Sequence, residues 1–197
     1  MINTVTEWVI KTAFSEIKNM EKEDINTNFS VNIPLKILEN SKIKKYIEAY
    51  KINSLPLYKL ELEILERDNV DNFKETASAM KDLKKLGINF SLDDYGTGYS
   101  TLSYMQKLPF DIIKIDRMFI KDIETNERMR ALVQSTIDIG HTLGMEVVAE
   151  GEETIKSVEI LQNMGCDFAQ GYHYAKPMTY LEFIRWHKDY NSTEKLA

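Results

Sequence analysis

The chain has one cysteine, Cys166, and three histidines, His141, His173 and His187. A single thiol excludes an internal disulfide and a CxxC metal site. The histidines are scattered and form no HExxH-type pair, so each reads as a surface or cap side chain rather than a zinc ligand. No run approaches the ~18 consecutive apolar residues of a membrane span, and no signal-peptide pattern opens the sequence. Positive charge is also short: 25 Lys and Arg against 31 Asp and Glu leave a formal charge of −6. That balance gives no general attraction to a nucleic-acid polymer or an anionic membrane. An anionic ligand would need metal ions or a local lysine to offset the acids. The expectation is a cytoplasmic protein without membrane insertion. Its 197 residues, 43% of them hydrophobic, suit one domain with one buried core.

Six short apolar runs each carry a polar group at or near their end. They are FSVNI with Asn32, YKLELEI with Glu63, INFSLDD with Asp93 and Asp94, DIIKID with Lys114 and Asp116, MEVVAE with Glu150, and CDFAQ with Gln170. Helical patterns separate them. Val5, Val9, Ala13 and Ile17, with Trp8 beside them, predict an amphipathic first helix. Pro34 predicts the start of a short helix over 35–40, and a further helix is expected around 42–53. A unit then recurs three times: helix, glycine, strand, polar group. Its helices carry Phe73, Ala77, Met80 and Leu83, then Met129, Leu132, Val133 and Ile137, then Ile155, Val158 and Leu161, and they close at Gly87, Gly144 and Gly165, where glycine can take the left-handed conformation. Strands alternating with helices this closely call for parallel pairing through crossover helices. Doubly wound sheets share the alternation, but polar groups at every strand end favour a (β/α) barrel. The domain is expected over 1–187, with a polar, fraying tail over 188–197.

Oxygen donors dominate the polar set, which points to a hard divalent cation. Asp93 and Asp94 are adjacent carboxylates, costly to hold close without a cation. Neighbouring strand residues point to opposite faces, so the strand end must twist before both can serve one site. Gly96 and Gly98 permit such a bend, and an exposed Asp-rich turn is the plain alternative. A phosphate-cradling GxGxxG is excluded, because Thr101 stands where the third glycine belongs. Glu63, three residues before Glu66, could be a solvent-facing edge acid. Lys114 is flanked by Ile112, Ile113 and Ile115 and would be expensive to bury unpaired; Asp116 is one candidate partner, in a purely structural pair. Glu150 precedes Gly151, and Gln170 precedes Gly171. The joint placement of these groups predicts that they gather at one mouth.

DDYGTGYSTL, DIIKIDRMFI, VVAEGEET and CDFAQGYHYAKP, in this order and spacing, resemble the EAL-domain phosphodiesterases, which hydrolyse the bacterial messenger cyclic di-GMP. SVNIP and LELEILE fit the same family, and the resemblance runs from about Trp8 to Pro177. It implies an α/β fold of the TIM-type (β/α) barrel kind and two divalent cations, Mg²⁺ or Mn²⁺. By position, Asn32, Glu63 and Asp93 resemble ligands of the first metal, with Asp93 bridging and Asp94 serving the second. Lys114 resembles the group that orients the attacking water, and Glu150 an acid at the second metal, as ligand or through water. Gln170 and Asp116 would position water or substrate. Glu66 resembles the anchor of the loop carrying Gly96, Thr97 and Gly98.

The sequence also departs from the family. No Glu-Ala-Leu tripeptide occurs, and EWVIKTAF resembles the helix that follows that strand. The barrel is therefore expected to be incomplete, with about six strands present and the first two of the family missing, along with a metal-binding glutamate and a substrate-binding arginine. Pro34, Leu65 and Glu152 are smaller departures. The implied activity is hydrolysis of cyclic di-GMP to linear pGpG, impaired in this chain. A degenerate, non-catalytic nucleotide-binding or protein-interaction module is the alternative. The open barrel edge is expected to form a homodimer or pair with another segment.

Overall fold

Where the apolar spacing switches between a period of two and a period of 3.6, the chain switches between strand and helix. The computed structural model describes residues 2–38, 41–51, 57–97 and 101–194. Among them, six strands form one sheet: β1 (Phe29–Asn32), β2 (Leu60–Leu65), β3 (Asn89–Tyr95), β4 (Ile112–Ile115), β5 (Glu146–Glu150) and β6 (Phe168–Gln170). They lie in sequence order, and every neighbouring pair is parallel. The sheet curls into an incomplete TIM-type barrel. The helices are α1 (Ile2–Lys22), α2 (Ser41–Lys51), α3 (Phe73–Lys84), α4 (Thr101–Lys107), α5 (Arg117–Ile120), α6 (Glu127–Thr142), α7 (Ile155–Asn163) and α8 (Tyr180–Glu194). None is long and apolar enough to cross a membrane, among the described residues.

Local signals explain the element ends. Asn72, Asn126 and Thr154 cap α3, α6 and α7 by accepting backbone N–H bonds from the first turn, which satisfies donors that the helix itself leaves open. Gly87, Gly144 and Gly165 follow the same three helices with φ of 106°, 75° and 79°.

The register separates two faces. Val31, Leu62, Phe90, Ile113 and Val147 lie on one side, and there they pack beneath the helices. On the other side stand Ser30 and Asn32, Glu61 and Glu63, Ser91 and Asp93, Ile112 and Lys114, Val148 and Glu150, and Phe168 and Gln170. The apolar core therefore lies between sheet and helices, and the concave face is largely polar.

Three expectations need adjustment. In α1 the buried side chains are Thr6, Ile10, Ala13, Phe14, Ile17 and Met20, while Val5 and Trp8 are 55% and 66% exposed. At 100° per residue Trp8 falls about 180° from Ile17, on the opposite side of α1, and Val5 lies at the margin of the buried arc, so neither is covered. Pro34 precedes a short 3-10 helix, Leu35–Ile37, rather than an α-helix, and its first amide donates to Asp68 Oδ2 at 2.9 Å; positions 39–40 of the expected 35–40 helix lie outside the described residues. The last helix runs through position 187 as far as Glu194.

Candidate active site

Glu63, Asp93, Lys114 and Glu150 converge because strands β2 to β5 present them on the same face. Lys114, 5% exposed, places its Nζ 2.5 Å from Glu63 Oε1, 2.6 Å from Glu150 Oε1 and 3.8 Å from Asp93 Oδ1. Its partner is thus not Asp116. That residue begins the turn after β4, and its Oδ1 accepts the Met118 amide at 2.8 Å, capping α5. Burial works against the lysine charge. The carboxylates of Glu63 and Glu150 outweigh it, so the Lys114 pKa is raised and the ammonium is held firmly. Burial raises the Glu150 carboxyl; Lys114 opposes the shift, while Asp93 and Glu63 add to it.

The end of β3 solves the problem of two adjacent acids. The ladder to β4 shifts register between Leu92 and Tyr95, and Asp94 takes a φ of 56°, a conformation that costs most L-residues but that Asp tolerates. The bend therefore falls on Asp94 itself, ahead of Gly96. Asp93 Oδ1 accepts the Asp94 amide at 2.9 Å. Burial, then the charges of Asp93 and Asp116, raise the Asp94 carboxyl.

Glu66 is buried, and its Oε2 accepts the Gly96 amide at 2.9 Å. Thr97 Oγ1 donates to the Asp94 carbonyl at 2.8 Å. At Gly96, with φ 99°, a Cβ would fall 2.5 Å from the Phe119 ring, so a side chain there is excluded twice over. Gly98 lies outside the described residues. Asn32 and Gln170 stand further from the cluster, exposed on the two outer strands, in register with Glu63 and Glu150 respectively.

Two residues of this site escaped sequence reasoning. Arg67 Nη2 lies 3.9 Å from Asp94 Oδ2. Glu61 sits one step below Glu63 on the concave face, and burial raises its carboxyl. The alternation in LELEI held the signal for Glu61; nothing local marked Arg67, which sits on a turn.

The mouth contains more acid than base. Among the described residues, no three acid, histidine or cysteine side chains stand at the spacing of a ready metal shell, and the cation they face is the Lys114 ammonium. The donor set is nevertheless all oxygen, and the carboxyls of Glu63, Asp93, Asp94 and Glu150 outnumber the Lys114 ammonium and the Arg67 guanidinium beside them, an excess of acid that a hard divalent cation would relieve.

Glu152, just beyond the site, is wholly buried, and no side chain among the described residues hydrogen-bonds its carboxyl oxygens. Burial raises its pKa from 4.5 to about 7. The folded state holds this proton over a range in which the unfolded chain releases it. The corresponding stability is complete below pH 4.5 and is lost as pH rises through about 7, on the order of 3 kcal/mol in all. Glu152→Gln is expected to flatten that decline, measured by urea unfolding from about pH 5 to about pH 8. A variant with the parental pH slope would exclude Glu152 as its source.

The EAL domain family profile matches residues 1–177. The solved EAL domain of Mycobacterium smegmatis DcpA is 29% identical and superposes with a TM-score of 0.87, covering 93% of this chain and 84% of that one. The PaMucR phosphodiesterase in its complex with c-di-GMP is also 29% identical, with a TM-score of 0.82 over 92% of this chain and 74% of that one. The cyclic di-GMP phosphodiesterase PdeR of Escherichia coli is 30% identical over 194 residues, 96% of this chain and 29% of its own length. The chain spans less than a third of the first curated relatives it matches.

Proposed function

Because the chain belongs to the EAL domain family, we propose that it is a metal-dependent phosphodiesterase that opens cyclic di-GMP to the linear dinucleotide. The observation that carries this reading is the Lys114 ammonium, held between Glu63 and Glu150 beside Asp93. A buried, permanently charged donor fixed by two carboxylates can orient a water and attract a phosphodiester oxygen. Asn32, Glu63, Asp93, Asp94 and Glu150 would hold two divalent cations, Mg²⁺ or Mn²⁺. Such ions, when bound, lower the pKa of a coordinated water and neutralise charge on the attacked phosphate.

The chain's own groups have distinct tasks. Asp93 and Asp94 present adjacent carboxylates from a bent strand end. Glu66 and Thr97 hold the loop that follows in one position. Glu150, a carboxylate 2.6 Å from the Lys114 ammonium, would serve the second cation directly or through a water. Gln170, at the end of β6, would orient the substrate or water, with Asp116 serving beside Asp94. Turnover by this chain alone is expected to be slow, because Asn32 and Gln170 on the two outer strands are exposed to water.

The test is incubation with cyclic di-GMP and either cation, with linear dinucleotide as the product, alongside thermal unfolding. A cation at ~100 times its Kd adds about 2.7 kcal/mol, so the melting temperature is expected to rise by roughly 5–10 °C. The absence of both product and a thermal shift at millimolar cation would remove this reading. Calorimetric binding of the nucleotide without product would support a second one, a sensor module, which the exposed polar groups Asn32 and Gln170 on the outer strands favour.

A further inference from the structure

Arg67 sits on the turn that follows β2, and that turn is fastened on both sides. Glu66 donates its amide to the Asp93 carbonyl at 3.0 Å and accepts the Gly96 amide at 2.9 Å. Asp68 donates its amide to the Leu65 carbonyl at 3.0 Å. Its Oδ2 accepts the Leu35 amide at 2.9 Å, and its carbonyl accepts the Tyr104 hydroxyl. Between these anchored neighbours the Arg67 side chain is 69% exposed and carries none of the bonds. The turn therefore fixes the root of a long cation and leaves its tip at the mouth.

That tip has one ionic neighbour among the described residues: Arg67 Nη2 lies 3.9 Å from Asp94 Oδ2. The separation is too long for a hydrogen bond, and an exposed pair of this kind stabilises little. A planar guanidinium offers five N–H donors matched to the edge of a carboxylate or a phosphate, yet here it meets Asp94 by charge alone. Burial, Asp93 and Asp116 push the Asp94 carboxyl up, and Arg67 is the cation that opposes them. Asp94 cannot keep the guanidinium close and also hold a divalent cation without like-charge repulsion. A displaced guanidinium stays at the mouth, because its root is fastened, and there it faces whatever anion the site has drawn in.

We propose that Arg67 exchanges partners: it is the countercharge of Asp94 before a divalent cation arrives there, and afterwards it binds a non-bridging phosphate oxygen of the dinucleotide. This rests on the phosphodiesterase reading and adds to it a phosphate-binding residue on the Asp94 side of the mouth. Lys114 is no candidate for such an exchange, being 5% exposed and clamped between Glu63 and Glu150. Arginine suits the task better than lysine would, since its fork can take two phosphate oxygens. The exchange gives one substitution two effects of opposite sign. Loss of Arg67 removes a competitor of the cation and a partner of the nucleotide. A residue that only supported the turn would weaken the binding of both.

The test is a pair of titrations. Mn²⁺ alone is titrated into the chain, followed by calorimetry and by thermal unfolding, with no nucleotide present. Arg67→Gln is expected to lower the half-saturating Mn²⁺ concentration by about threefold or more, with parental circular dichroism, as for most exposed substitutions. Cyclic di-GMP is then added at saturating Mn²⁺. There Arg67→Gln is expected to raise KM about tenfold, more than it lowers kcat, or to raise the calorimetric Kd by the same factor if no product forms. Arg67→Lys keeps the charge and is expected to return the Mn²⁺ titration to its parental value. The proposal alone is overturned if Arg67→Gln binds Mn²⁺ no more tightly than the parent, if its nucleotide affinity is unchanged, or if Arg67→Lys titrates like Arg67→Gln. A parent that binds neither Mn²⁺ nor cyclic di-GMP would overturn the phosphodiesterase reading, and the proposal with it.

Discussion

Lys114→Ala is expected to destabilise the protein by about 3–5 kcal/mol at neutral pH, because it leaves buried carboxylates without their countercharge. Glu63 and Glu150 lose contacts of 2.5 and 2.6 Å, and Asp93 loses a neighbour at 3.8 Å. The loss is not that of a surface ion pair, since Glu63, Asp93 and Lys114 are 5%, 8% and 5% exposed. Two treatments are expected to restore the variant. Millimolar Mg²⁺ or Mn²⁺ would take over the countercharge, so urea unfolding with and without cation should differ more in the variant than in the parent. Acid would do the same by another route. Burial already raises the Glu150 pKa, with Lys114 opposing it; without Lys114 the rise is larger. A raised carboxyl pKa means stability present at low pH and lost as pH rises through it, so the variant's deficit should shrink on acidification. A variant as stable as the parent in the absence of cations would show that these acids do not depend on the ammonium.

Asp93→Asn carries the second large effect, on function rather than on folding. The amide keeps the volume of the carboxylate and an oxygen able to accept the Asp94 N–H, now at 2.9 Å, so the bend at Asp94 should persist. What disappears is the anionic donor common to both proposed cation positions. The melting-temperature response to Mg²⁺ or Mn²⁺ is expected to vanish, and turnover of cyclic di-GMP to fall by about three powers of ten or more, the scale on which metal charge and positioning act. Asp138→Asn is the matched control. Its side chain accepts a bond from Gln134 at 3.0 Å on the exposed face of α6, away from the strand ends, so it should lose far less. An Asp93→Asn protein that still melts higher with cation would remove Asp93 from the site.

Much of this architecture could be read before any coordinates. Parallel strands followed from the helix–glycine–strand unit, and the closing glycines and the polar residue in each strand were visible as local chemistry. The same holds for the link between Glu66 and the loop at Gly96, which the family resemblance implied and a 2.9 Å hydrogen bond now describes. Other features were hidden because they arise between elements. Val5 stands at the margin of the apolar arc that holds Ile10 and Ile17, and no periodicity could tell how far round α1 the cover would reach. Arg67 approaches Asp94 only because two turns lie side by side at the mouth.

Spacing along the chain determined that Glu63, Asp93, Lys114 and Glu150 would each stand in or at the end of a strand, since runs of branched apolar residues leave the backbone few other choices. Which groups touch was decided by the parallel register across four strands, together with the left-handed turn at Asp94. An alternating strand reveals its own two faces but not its neighbour's offset. Lys114 could have paired with Asp116, two residues away; the fold instead gave it Glu63 and Glu150, because contacts between strands are set by the packing of the whole sheet.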